Sequence, residues 1–185
     1  NDYLYLDHAA TTPMRESALE AFKNAEEFAY ANSSGGHELS RRAKNLLEES
    51  RDFIASYFGA APSEITFTSG GTEADNWVIK APFMNSKNSQ NLVTSKIEHE
   101  AVLASAEWLE TQGQGVNYAS CNTDGQVDVN EFLDKCNNDT AIASLMYANN
   151  ETGVVQQIEK IAKEVKTKNP ETLFHSDVVQ AVSSE

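Results

Sequence analysis

The chain has 185 residues, 40% of them hydrophobic and 23% charged, the make-up of a folded globular protein that forms one domain or a piece of a larger one. Its 28 acidic and 14 basic residues give a formal net charge of −14, which argues against a broad nucleic-acid or anionic-membrane interface but not against one small anion held by local dipoles. No apolar run approaches membrane-spanning length and no charged-then-apolar leader precedes Tyr3. Cys121 and Cys136 lack the spacing of a disulfide framework or a zinc knuckle, so the expected compartment is the cytoplasm.

In chain order, Pro13 introduces a predicted helix over residues 14 to about 29, and residues 30–36 form a polar loop. Ala43, Leu46, Leu47, Phe53, Ile54, Tyr57 and Phe58 recur at helical spacing over residues 37–58, and Gly59 supplies the stop. From there strands and helices alternate. Strands are predicted at 64–68, 91–95, 115–120, 140–147 and 172–175, with helices at 72–85, 98–112, 129–136 and 158–168. Such alternation predicts an α/β domain with a largely parallel sheet between helices, in which ligands sit beyond the carboxyl ends of the strands. Four polar features fall at such ends: the glycine turn after Thr68, His99, the Asn149-Asn150 pair and Asp177.

The turn Thr68-Ser69-Gly70-Gly71-Thr72-Glu73 lies between the apolar run Ile65-Thr66-Phe67 and a helical segment. Two glycines let the backbone approach a ligand, and the first N–H groups of the helix have no intrahelical partner, so the turn suits a phosphate. The spacing is neither a dinucleotide fingerprint nor a P-loop. Each polar feature also has a plain structural explanation: a helix start for His99, a turn cap for Asp177, and a simple turn for Asn149-Asn150.

Five segments in order nonetheless resemble the class V aminotransferase group of pyridoxal 5′-phosphate enzymes, and the cysteine desulfurases within it. They are Tyr5-Leu6-Asp7-His8-Ala9-Ala10-Thr11-Thr12-Pro13, the segment 68–76, Ser95-Lys96-Ile97-Glu98-His99-Glu100-Ala101-Val102-Leu103, Asn149-Asn150-Glu151-Thr152-Gly153-Val154-Val155-Gln156, and His175-Ser176-Asp177-Val178-Val179-Gln180. The likeness runs over residues 3–185 and corresponds to the amino-terminal part of such an enzyme: the large-domain portion of a fold-type-I pyridoxal phosphate-dependent transferase. It implies that Gly71 and Thr72 hold the cofactor phosphate, that His99 stacks on the ring and moves protons, and that Asp177 pairs with the pyridine nitrogen. It further implies that Gln180 meets the phenolic oxygen, with Asn150 beside it and the substrate carboxylate.

The implied activity converts L-cysteine to L-alanine and leaves a persulfide for a sulfur-acceptor protein in iron–sulfur assembly or thiolation, with a homodimer as the working form. The segment 95–103 favours the iron–sulfur branch. A selenocysteine lyase or kynureninase-like enzyme, or a non-catalytic module that binds the cofactor weakly, are the alternatives. The family's Schiff-base lysine lies in a Ser-x-His-Lys segment that these residues do not contain, and Cys121 and Cys136 do not match its loop cysteine. The 185 residues alone are therefore expected to be inactive, and both cysteines read as small, partly buried residues. Asn32-Ser33-Ser34 lacks the family's proline, which relaxes a loop. Ser120-Cys121-Asn122-Thr123-Asp124-Gly125 mimics a calcium loop but starts with serine after a strand, and His8, His37, His99 and His175 have no metal-ligand spacing.

Overall fold

The computed structural model describes residues 3–84 and 90–182, so the last residue of the predicted helix 72–85 lies outside the described residues. The chain divides into two units, one ending at Phe67 and the other beginning at Thr68.

The first unit holds α1 (Glu16–Phe28), α2 (Glu38–Phe58) and a single 3-10 turn at Pro62–Glu64. The His37 ring caps α2 by accepting the Ser40 N–H at 3.3 Å. Gly59 closes it as the sequence predicts: its φ of 64° is the left-handed conformation a glycine adopts without Cβ strain, and its N–H returns to the Ala55 and Ser56 carbonyls. The strand predicted at 64–68 does not form. Instead Arg51 Nη1 donates to the Ile65 carbonyl at 2.6 Å, and the Arg51 guanidinium lies 4.9 Å from the centre of the Phe67 ring. A side chain of α2 thus takes a backbone acceptor that a sheet ladder would need.

The second unit is a four-stranded, all-parallel sheet in the order β2-β1-β3-β4, with β1 (Asn91–Ser95), β2 (Gly115–Ala119), β3 (Thr140–Ser144) and β4 (Leu173–His175). Parallel neighbours need crossover connections, supplied by α4 (Glu100–Thr111), α5 (Val129–Lys135) and α6 (Ile158–Lys168), while α3 (Gly71–Met84) precedes β1. Every residue of the central strands β1 and β3 is buried, whereas the outer strands β2 and β4 are partly open. Successive side chains point to opposite faces, and the core divides accordingly. Leu92 and Ile142 pack with Ile79, Phe83, Val102 and Leu109 of α3 and α4. Val93 and Ala143 pack with Phe132, Ile161 and Val165 of α5 and α6.

Strand 140–147 ends early, at Ser144, but the next residues keep parallel-type bonds: Leu145 N–H to the His175 carbonyl and Tyr147 N–H to that of Asp177. Helix α4 starts at Glu100, two residues after its predicted start, because the His99 ring caps it and leaves Glu98 outside. Cys136 is buried as expected, but Cys121 is exposed, contrary to expectation, because it lies on the small turn that Gly125 (φ 80°) closes opposite Val127. Among the described residues no helix is long and apolar enough to cross a membrane, and no group of His, Cys, Asp and Glu could hold a metal ion.

Candidate active site

The carboxyl ends of β1, β3 and β4 bring three loops together with the start of α3, and short contacts link all four. The first i→i−4 bond of α3 joins the Ala74 N–H to the Gly70 carbonyl at 3.2 Å, so the N–H groups of Gly71, Thr72 and Glu73 stand ahead of the helix ladder. The Glu73 carboxylate turns back to accept from Ser69 N–H (2.6 Å) and Ser69 Oγ (2.7 Å). Those two bonds hold it below the usual carboxylate range. With the Ser69 donors engaged, the N–H groups of Gly71, Thr72 and Glu73 present donors at this turn, and the Thr72 side chain is exposed.

Gly71 abuts the loop after β4: a Cβ built on it would stand 2.9 Å from Val179 Cγ2. In that loop Asp177 Oδ1 accepts the Val179 N–H at 2.9 Å, the turn-capping role open to any such aspartate. Capping does not exhaust a carboxylate, whose two oxygens offer about four acceptor positions. Asp177 and Gln180 are both half-buried. The hydroxyl of Ser176, between His175 and Asp177, is buried with no hydrogen-bond partner.

His99 is exposed, and its Nδ1 accepts the Ala101 N–H at 3.1 Å. That bond makes Nε2 the protonated nitrogen of the neutral ring. Asn149 is fully committed to structure: its Oδ1 accepts from Glu151 N–H, Thr152 N–H and Thr152 Oγ1, and its Nδ2 donates to the Ile97 carbonyl at 2.9 Å. The turn predicted for the asparagine pair is thus real and belongs to Asn149, while Asn150 sits half-buried beside it.

Four residues that sequence reasoning passed over hold these loops in place. Asp75, buried on α3, lies 3.5 Å from His175 Nε2, and His175 Nδ1 is 2.9 Å from Ser144 Oγ at the end of β3. Glu98 is buried and bonded to both Ser95 and Met146. Burial pushes its carboxyl up to about 7; the Asp177 and Asp75 charges push the same way, and the bonds from Ser95 and Met146 oppose them. The available signal was the placement of Glu98 and His175 at or just past the ends of predicted strands. The open 540 Å³ groove along α3 is lined by Thr72, Asn76, Trp77 and Lys80 among others, but not by His99, Asn150 or Asp177. Burial raises the Cys136 thiol to about 11, which leaves it unreactive near neutral pH.

The model of the aminotransferase class-V family matches residues 4–185. The chain belongs to that family. Over 183 residues it is 39% identical to cysteine desulfurase IscS of Methanosarcina thermophila, covering 98% of this chain and 45% of that protein. The solved structure of a NifS-like protein superposes with a TM-score of 0.89 at 35% identity, over 94% of this chain and 48% of the other. A structure of SspA in complex with cysteine does so with a TM-score of 0.89 at 34% identity, over 96% and 51%. The chain spans about half the length of the curated relatives it matches. Family members and their desulfurase relatives are pyridoxal 5′-phosphate enzymes, and the architecture here is that of fold type I.

The residues present fit that cofactor chemically. A helix start with unladdered N–H groups suits a phosphate, and at Gly71 it closely approaches Val179, in the loop that carries the half-buried Asp177 carboxylate. The unpartnered Ser176 hydroxyl adds a polar group to that carboxylate's loop.

Proposed function

We propose that the whole protein is a pyridoxal 5′-phosphate-dependent cysteine desulfurase. It takes L-cysteine to L-alanine and passes the sulfur, as a persulfide, to an acceptor protein serving iron–sulfur assembly or thiolation. The observation that carries the reading is the meeting of the α3 start with the loops bearing His99, Asn150 and Asp177, in a chain whose relatives are cysteine desulfurases.

When bound, the cofactor supplies an electron sink for the substrate carbanion. Gly71 and Thr72 hold its phosphate through their N–H groups and the Thr72 hydroxyl, where a helix terminus contributes roughly 0.3–1 kcal/mol. Asp177 keeps the pyridine nitrogen protonated with a charge-assisted hydrogen bond. His99 would lie against the cofactor ring and exchange a proton at Nε2, since Nδ1 is held by the Ala101 N–H. Gln180 bonds the phenolic oxygen, and Asn150 orients the substrate carboxylate beside it.

The test uses the whole protein. Asp177→Asn keeps most cofactor affinity but slows alanine formation roughly 10- to 150-fold, since a hydrogen bond to a charged group is worth about 1.5–3 kcal/mol. Thr72→Val weakens cofactor retention with little effect on turnover once the site is saturated, because phosphate anchoring acts alike in ground and transition states. The 185 residues alone form no alanine, and borohydride with the cofactor labels no single lysine. Normal turnover in Asp177→Asn removes that residue from the chemistry.

A further inference from the structure

Glu98 has no part in the chemistry above, yet it is only 6% exposed. Ser95 Oγ donates to its Oε1 at 2.7 Å, and the Met146 N–H lies 3.1 Å from each of its oxygens. A second bond, from Asn149 Nδ2 to the Ile97 carbonyl at 2.9 Å, runs between the same two segments in the same sense, the loop after β3 donating and the turn after β1 accepting. The short turn that presents His99 is thereby tied twice to the loop that presents Asn150. Past the ends of β1 at Ser95 and β3 at Ser144 the remaining ladder-type bonds run outward, from Lys96 to Ala119 and from Leu145 and Tyr147 to His175 and Asp177, whereas these two bonds join the two segments to each other. A buried carboxyl is costly unless its acceptors are used, so its retention here calls for a role.

We propose that Glu98 is a positioning residue whose carboxyl clamps the Met146 backbone and so fixes His99 relative to Asn150. The proposal rests on the desulfurase reading for what His99 and Asn150 do. The clamp uses a side chain one residue from His99, so its loss displaces the ring without removing it. Burial and the facing Asp177 and Asp75 carboxylates bring the Glu98 proton equilibrium to about 7, so a modest change in its surroundings alters how many donors it can accept.

The test is a cycle of Glu98→Gln and His99→Ala in the whole protein. Glu98→Gln keeps the shape but leaves a single oxygen for the Ser95 hydroxyl and the Met146 N–H, with an amide N–H₂ in place of the second acceptor. In the cofactor-free protein, hydrogen exchange at the Met146 amide then speeds up about 10-fold, the loss expected for one such bond. In the loaded protein kcat for L-cysteine falls about 10-fold while KM changes less than about 2-fold. Combined with His99→Ala, Glu98→Gln causes no further loss, because no ring is left to position. Losses that multiply, or unchanged Met146 exchange, overturn the proposal. If His99→Ala impairs turnover while Glu98→Gln matches the unaltered protein, the positioning role alone falls. If His99→Ala changes neither turnover nor cofactor binding, the desulfurase reading of His99 fails and the proposal falls with it.

Discussion

The two units of the chain both contain amphipathic helices, but only the second closes a core. In residues 68–182, α3 and α4 cover one face of the sheet and α5 and α6 the other, and Phe132, Ile79, Leu92, Leu109 and Ile142 are fully buried. In residues 3–67 the buried hydrophobic residues are Ala43 and Ala55, while Phe53 is 74% exposed and Tyr57 61%. A helix stripe states which face is apolar, and burial needs a second surface of matching shape. The sheet supplies that surface for α3 to α6. All the candidate site residues belong to the unit with the closed core, as expected when loops must be held in place by a rigid scaffold.

The contrast is broken most directly at one phenylalanine in each unit. Phe132→Ala should cost about 3–5 kcal/mol of unfolding free energy, whereas Phe53→Ala should stay within about 0.5 kcal/mol, both read from urea unfolding. A comparable loss at Phe53 would mean that the first unit buries far more than its exposure indicates.

Glu98 sharpens the comparison through pH. Its folded-state pKa is raised to about 7 from 4.5, so the folded protein keeps a proton that the unfolded chain releases. The resulting stabilisation is complete below about pH 4.5, declines as pH climbs through about 7, and amounts to roughly 3 kcal/mol in all. Unfolding midpoints of the unaltered protein and Glu98→Gln, measured between pH 5 and 8, should diverge by this dependence. Parallel profiles would remove Glu98 as the source.

Smaller effects belong to the first unit. Gly59→Ala forces a side chain into the left-handed region at φ 64° and should cost about 1–2 kcal/mol, visible as a lower thermal midpoint. Arg42→Ala removes only the exposed pair with Glu38 and should change stability by less than about 0.5 kcal/mol, with no salt dependence beyond that of the unaltered protein.

Much of this was legible from residue order. The periods of residues 37–58 and 158–168 and the glycine stop at 59 describe helices that form within a residue of their expected bounds. Segments 91–95 and 140–144, each with an apolar centre (Leu92-Val93 and Ala141-Ile142-Ala143), become the central strands, in which every residue is buried. The segment 64–68 carries the same signal but forms no strand: composition expresses a preference for extended backbone, while a ladder needs a partner, and Arg51 occupies the Ile65 carbonyl instead.

For the candidate site, sequence by itself determined the kinds of residue present and their order: a glycine turn entering a helix, then histidine, asparagine, aspartate and glutamine at successive strand ends. That order suffices for family and cofactor class, because each part of the cofactor calls for a particular side-chain type. Tertiary structure alone decided which residues hold the others in place. Glu98 and Met146 are 48 positions apart, and His175 and Ser144 are 31 apart, so no local period links them. They meet because parallel strands bring distant carboxyl ends to one edge, and there burial turns an ordinary helix-start glutamate into a carboxyl titrating near 7.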